Sequence, residues 1–300
     1  MTVAYLELGE GELIERVRRS WESMRDCHLC ARECGVDRTR GELGFCRTGD
    51  RVLVASYGPH PGEEAPLRGT RGSGTIFFCG CNLGCIYCQN YETSQYMVGR
   101  QQGLRNLGRI MLRLQRKGCH NINLVSPSHV IPQILGATAW AAPRGLNLPL
   151  VYNTGGYDSL EGLRLLDGVV DIYMPDMKYQ DPEVADRLSM ARDYPEVNRK
   201  AVAEMHRQVG DLSLDERGIA TRGLLVRHLV LPENMAGTRE VVEFLAAEIS
   251  ENTFVNLMDQ YYPAHRAWDY PPLDRRPAPG EISAALKAAA EAGLKRVYRW

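Results

Sequence analysis

The sequence predicts an α/β fold: a partial, open (β/α)6 barrel with a small cysteine-rich, metal-binding appendage at its N-terminal end. Three observations predict it. From Thr75 onward, short apolar runs alternate with stretches of helical period, the pattern of parallel strands joined by helices. Six strand–helix pairs fill roughly 225 residues, whereas a closed eight-fold barrel typically takes about 250. Polar clusters follow the strands, as they do where the C-terminal ends of barrel strands carry the chemistry. A doubly wound sheet is the alternative reading of the same alternation. We divide the chain into a cysteine-rich segment, 1–74, and a barrel, 75–300.

The elements follow in order. Residues 10–26 read as a short helix and "RVLVASY" at 51–57 as a strand; "GPHPGEEAPLRGTRGSG" is then loop. "TIFF" is the first barrel strand. In the next segment Leu104, Leu107, Ile110, Met111 and Leu114 share one helical face, and Gly118 stands where a C-terminal cap belongs. "NINLVS" is the second strand and "HVIPQILGATAWAA" its helix. The third strand, "LPLVYNT", leads to a helix from Asp158. The fourth, "VVDIYMPDMK", leads to one long helical insert reaching about Val209. The fifth and sixth strands, "GLLVRHLVLP" and "FVNLMDQY", precede the helices "GTREVVEFLAAEI" and "GEISAALKAAAEAG"; a short "RVYRW" ends the chain.

Composition narrows the function. With 36 basic and 37 acidic residues among 300, the formal net charge is −1. That balance gives no field to gather nucleic acid or an anionic membrane face. The first residues are charged and lack an apolar signal core, and no apolar run approaches the roughly 18 residues of a spanning helix. We expect a soluble, cytoplasmic protein. Nine cysteines in a long chain without a signal peptide argue for metal binding rather than a disulfide scaffold. Seven fall into two groups; Cys79 and Cys119 are left over and read as small buried residues.

The second group carries the sharper signal. In "FFCGCNLGCIYCQN", Cys81, Cys85 and Cys88 form C-x3-C-x2-C directly after the first barrel strand. A structural zinc site takes four ligands and electron-transfer iron–sulfur clusters take four cysteines. Three thiolates on one loop suit a metal centre that keeps one position open, although a zinc knuckle is the plainer alternative. This loop, with Tyr87 before its last cysteine, resembles the radical S-adenosylmethionine (radical SAM) superfamily. The wider string "GCNLGCIYCQN" resembles the activases of glycyl-radical enzymes, such as pyruvate formate-lyase activating enzyme, within a subgroup that carries an extra N-terminal cysteine motif.

The resemblance implies a [4Fe–4S] cluster on Cys81, Cys85 and Cys88 with SAM on the open iron. It implies reductive cleavage to methionine and a 5′-deoxyadenosyl radical that abstracts hydrogen from a substrate. It implies a partner protein that acquires a glycyl radical, and an electron donor such as flavodoxin or ferredoxin. Radical chemistry on a small molecule or peptide, or a non-catalytic iron–sulfur or zinc protein, are the other readings. By the same resemblance Asp176 and Lys178 in "PDMK", Arg227 in "RHLVLP", His265 in "YYPAH" and Asn90 after the triad stand near SAM. The G-G-E-P segment by which many members hold the SAM amino group is missing; here the stretch reads "NLVSPSH". Ser126, Ser128 or exposed carbonyls can accept those bonds instead, with Asn153 and Thr154 as further candidates to face the cofactor.

The first group, Cys27, Cys30, Cys34 and Cys46, has the spacing C-x2-C-x3-C-x11-C. Four thiols so spaced suit a second [4Fe–4S] cluster or an all-cysteine zinc site. Zinc ribbons usually show two C-x2-C knuckles and this group has one, so the cluster is the expectation, with zinc the alternative.

Overall fold

The computed structural model describes residues 2–299. Two helices, α1 (Ala4–Glu7) and α2 (Glu10–Glu22), precede the cysteine-rich stretch. Strand β1 (Val52–His60), helix α3 (Ala65–Arg68), β2 (Ser73–Phe78), α4 (Tyr91–Ser94) and β3 (Arg100–Gln102) follow. Next come α5 (Leu104–Arg116), β4 (Ile122–Val125), α6 (Ile131–Ala141), β5 (Leu150–Thr154), α7 (Leu160–Leu166) and β6 (Ile172–Pro175). The chain continues through α8 (Pro182–Ser189), α9 (Tyr194–Val209), β7 (Ser213–Leu214), β8 (Ala220–Leu229), α10 (Thr238–Phe244), β9 (Phe254–Met258), α11 (Pro279–Glu291) and β10 (Arg296–Arg299).

Local chemistry sets the boundaries. The Leu107–Ile110–Met111–Leu114 stripe of α5 is buried. Ser159 caps α7 by accepting the Gly162 amide, which satisfies one of the donors a helix start leaves free. The expected single insert after the fourth strand is two helices. Met190 takes a left-handed conformation, φ 53°, at the end of α8, and Pro195 in the first turn of α9 restarts the chain. The terminal "RVYRW" forms β10 as far as Arg299; Trp300 lies outside the described residues.

Strand order runs β10-β9-β8-β6-β5-β4-β2-β1-β3, with β7 paired to β8 off this path. From β2 to β10 the neighbours pair parallel and their order follows the sequence without reversal. A doubly wound sheet reverses its order at a switch point; this sheet is singly wound, as in a barrel, and its outermost strands do not pair with each other. It is an open partial barrel with six β/α units and a seventh parallel strand. β1 adds antiparallel to β2, so residues before the barrel extend the same sheet.

Alternation along the strands separates two cores. Tyr152, Tyr173, Leu224 and Val226 belong to the large core shared with the helices. Their neighbours Val151, Ile172, Met174 and Leu225 form a smaller cluster with Leu67 of α3. A third cluster, with Ile86, Tyr87, Tyr179, Tyr194 and Tyr261, packs the three-cysteine loop. Among the described residues no helix is long and apolar enough to cross a membrane.

Candidate active site at the strand ends

The loop of Cys81, Cys85 and Cys88 leaves the C-terminal end of β2. Cys85 is buried and the other two are partly so. The loop is strapped to the end of α8: the Ile86 amide donates to the Leu188 carbonyl at 2.9 Å. Each sulfur has a polar neighbour. The Leu83 amide donates to Cys81 Sγ at 3.3 Å, the Ser189 hydroxyl donates to Cys85 Sγ at 3.0 Å, and Ser94 Oγ lies 3.2 Å from Cys88 Sγ. Ser189 is held in turn by Tyr179, 2.7 Å away, whose hydroxyl donates to that of Tyr87 at 2.5 Å. The aromatic residue before Cys88 therefore anchors the loop. Burial pushes the Cys81 thiol pKa up to about 12 and raises that of Cys88 with it, while Cys79, just before the loop, rises by burial alone.

A polar chain crosses the ends of the next strands. Lys178 Nζ donates to Asp176 Oδ2 at 2.6 Å, and Arg227 Nε donates to Asp176 Oδ1 at 3.0 Å. Arg227 Nη2 donates to Asn153 Oδ1 at 2.7 Å, and the Asn153 carbonyl accepts the Ser126 amide at 2.9 Å. Burial pushes the Asp176 carboxyl up, but Lys178 and Arg227 together outweigh it and hold the group below its ordinary value. Lys178 stays charged: burial opposes its proton, and Asp176 with Cys85 more than restores it. Its charge also acts on the Cys81 and Cys88 sulfurs, so the chain lies within electrostatic range of the triad.

The "NTGG" turn permits this approach. A Cβ at Gly155 would stand 3.0 Å from Leu83 of the triad loop and 3.7 Å from Lys178 Cε. Gly156, at φ 75°, would place one 2.3 Å from the Asp176 carbonyl, so only glycine fits. Ser126 has a left-handed backbone, φ 58°, which shapes the turn where the glycine pair is missing. Ser128 and Thr154 are 3.0 Å apart, and Thr154 donates to Asp158 at 2.7 Å; both are engaged with each other and with that buried carboxyl.

His265 stacks on Tyr91 with ring centroids 4.9 Å apart. Its left-handed backbone, φ 52°, and a buried Nδ1 without a partner mark a held, uncommitted imidazole. The next residue fastens this segment to the triad, the Arg266 amide donating to the Ile86 carbonyl at 2.8 Å. Asn90 is exposed at the start of α4, two residues after Cys88, and makes no side-chain cap there.

Sequence reasoning missed two acids. Glu63 and Glu64, within the stretch that reads as loop, are 7% and 3% exposed. Asn256 donates to Glu64 Oε1 at 2.8 Å. Burial pushes the Glu63 carboxyl up to about 7, against the pull of Arg227 and with the push of Glu64. The charges of Glu63, Glu64 and Asp176 thus all act on Arg227, with Asp176 in direct contact. Adjacent glutamates in a Gly- and Pro-rich stretch ordinarily signal an exposed turn, so no local pattern exposes their burial.

Cys27, Cys30, Cys34 and Cys46 line one cavity. Burial pushes Cys30 up to about 12 and raises Cys46. Cys79 and Cys119 are buried elsewhere. Among the described residues, no three His, Cys, Asp or Glu side chains are drawn together tightly enough to hold a single metal ion.

No family model matches the chain. A solved domain of pyruvate-formate lyase-activating enzyme from Bacteroides vulgatus aligns with 66% of this chain and 91% of its own, at 13% identity and a TM-score of 0.38, a likeness too slight to carry an argument. Uncharacterized protein MJ0808 of Methanocaldococcus jannaschii is 24% identical over 292 residues, covering 91% of this chain and 80% of the relative. Uncharacterized protein MJ0674 of the same organism is 31% identical over 282 residues, covering 91% of this chain and 77% of that protein. A match of that depth along nearly the whole chain places it in one family with MJ0674.

Proposed function

We propose that the protein is a radical SAM enzyme, with a [4Fe–4S] cluster on Cys81, Cys85 and Cys88 and SAM at the adjoining strand ends. The single observation that carries this reading is the meeting of a three-thiol loop with the Lys178–Asp176–Arg227–Asn153 chain at the C-terminal ends of parallel strands. The donor set fits the group. Three thiols share one loop, amide and hydroxyl groups stand on their sulfurs, and among the described residues the unpartnered Nδ1 of His265 lies on a segment bonded to that loop. When bound, the cluster would supply the electron that cleaves the sulfonium of SAM.

The chain's own residues do the rest. Lys178 offers an ammonium to the SAM carboxylate, and Asp176, itself held by Arg227, holds that ammonium in place. Asn153, with the Ser126 turn, presents polar groups where the glycine-pair segment is absent. Tyr87, Tyr179 and Tyr261 pack the loop and keep water from it. His265 sits on a segment bonded to the triad loop and would offer its imidazole there, and Asn90 flanks the last cysteine. We propose a partner polypeptide as substrate, activated by formation of a glycyl radical, because an open barrel admits a protein loop. A flavodoxin or ferredoxin would supply electrons.

The test is anaerobic reconstitution with iron and sulfide, followed by strong reductant and SAM. Methionine and 5′-deoxyadenosine are the expected products; a cluster-loaded protein that leaves SAM intact overturns the reading. SAM cleavage that yields a radical on no added polypeptide, but consumes a small molecule, would redirect the substrate assignment alone.

A further inference from the structure

We propose that Cys27, Cys30, Cys34 and Cys46 hold a second iron–sulfur cluster, that Arg38 is its buried counter-cation, and that it passes electrons to the centre on Cys81, Cys85 and Cys88. Four residues scattered over twenty positions of sequence line one cavity, with Arg38 and His129 completing its wall. The walls close on the sulfurs: a Cβ at Gly44 would stand 2.7 Å from Cys34 Sγ.

Arg38 supplies the independent observation. It is 1% exposed, and no carboxylate lies within ion-pair distance of it among the described residues. Its guanidinium donates to the His129 and Gly49 carbonyls at 2.9 and 2.8 Å and reaches Cys27 Sγ at 3.8 Å, while Nε has no partner. A buried, unpaired cation is costly. Four metal-bound thiolates carry more negative charge than the metal core offsets, and Arg38 stands against that surplus. The four cysteines line one cavity and include a single C-x2-C knuckle where zinc ribbons usually show two; a cluster bonds each of four thiolates to its own iron.

The cavity abuts the triad loop. A Cβ at Gly80, the residue before Cys81, would stand 2.6 Å from the Cys46 carbonyl and 3.2 Å from His129 Nε2. His129 Nε2 donates to the Cys79 carbonyl at 2.9 Å, and Arg32 Nε donates to the Asn82 carbonyl at 2.7 Å. Two side chains of the cavity wall, His129 and Arg32, therefore hold the backbone on either side of Cys81. An electron from a low-potential flavodoxin- or ferredoxin-class donor would reduce the N-terminal cluster, which is reoxidised as it reduces the triad's cluster. This relay rests on the radical SAM reading; the metal site does not.

The experiment separates the two. Reconstituted Cys81→Ala/Cys85→Ala/Cys88→Ala protein should retain about four irons and a reducible cluster visible by electron paramagnetic resonance. About one zinc and no iron in that variant overturns the second cluster. In the same background Arg38→Gln should move the cluster's midpoint potential to more negative values, because a nearby positive charge favours the reduced state, and Arg38→Lys should restore it. An unmoved potential in the glutamine variant overturns the counter-cation. Should the glutamine variant not load iron, the lysine variant decides: normal loading supports the role of charge, and failure of both overturns it. With the triad intact, serine at all four N-terminal cysteines should slow reduction of the remaining cluster by flavodoxin; an unchanged rate overturns the relay. Failure of the radical SAM reading would show differently, as two loaded clusters and no SAM cleavage.

Discussion

Lys178 and Glu63 show how differently single residues can be read. Lys178 follows a strand and pairs with an aspartate two positions back, so its place at a strand end was legible from "PDMK". Its nearness to the triad loop was not, since it depends on the chain folding that loop onto the turn after β5. Lys178→Ala and Asp176→Asn should weaken SAM binding while iron content stays normal. Losing a charge-assisted hydrogen bond typically costs about 1.5–3 kcal/mol, roughly ten- to a hundredfold in affinity; equilibrium binding to the loaded protein checks this, and unchanged affinity in both variants would remove the pair from the site. Glu63 was illegible because only long-range packing buries it. Its carboxyl titrates near 4.5 when free and at about 7 in the fold. The folded state therefore holds the extra proton between those values, and this contribution to stability is present below about 4.5 and lost as pH rises through about 7. Glu63→Gln should remove that loss. Unfolding free energies measured from about pH 4 to 8 should converge with wild type in acid and favour the variant above neutrality; parallel profiles would contradict the assignment.

At the scale of elements, strands and helices with strong periodicity were legible, and short pieces defined by tertiary contact were not. The α5 stripe and the six main strands follow from apolar period alone. α3 has four residues and β7 has two, too few to carry a period. The break between α8 and α9 rests on one left-handed methionine, which no propensity signals. α3 nonetheless matters, because its Leu67 is fully buried against Val151, Ile172, Met174 and Leu225. Leu67→Ala should leave a cavity there and cost about 2–5 kcal/mol. Chemical denaturation should show a lower midpoint with an unchanged slope; a loss below about 0.5 kcal/mol, the scale of a surface substitution, would mean the cluster is not part of the cooperative core.

The whole molecule joins what the sequence kept apart. "RVLVASY" and a long loop separate the two cysteine groups along the chain, yet β1 turns back along β2 and brings Cys46 against Gly80. That contact depends on strand pairing across the sheet and has no signature in spacing. The singly wound order was legible only as one of two possibilities, since alternation is common to barrels and doubly wound sheets. Once the order is fixed, every parallel strand delivers its C-terminal end to one face, and the triad loop, Asn153, Asp176 and Arg227 meet there for that reason. The central claim is that three of the nine cysteines, and only those three, hold the centre that cleaves SAM. The measurement that tests it most directly is 5′-deoxyadenosine formation by single cysteine variants under strong chemical reductant. Cys81→Ala, Cys85→Ala and Cys88→Ala should each abolish product, while Cys79→Ala and Cys119→Ala should form it at the wild-type level; full activity in any one of the first three would contradict the account.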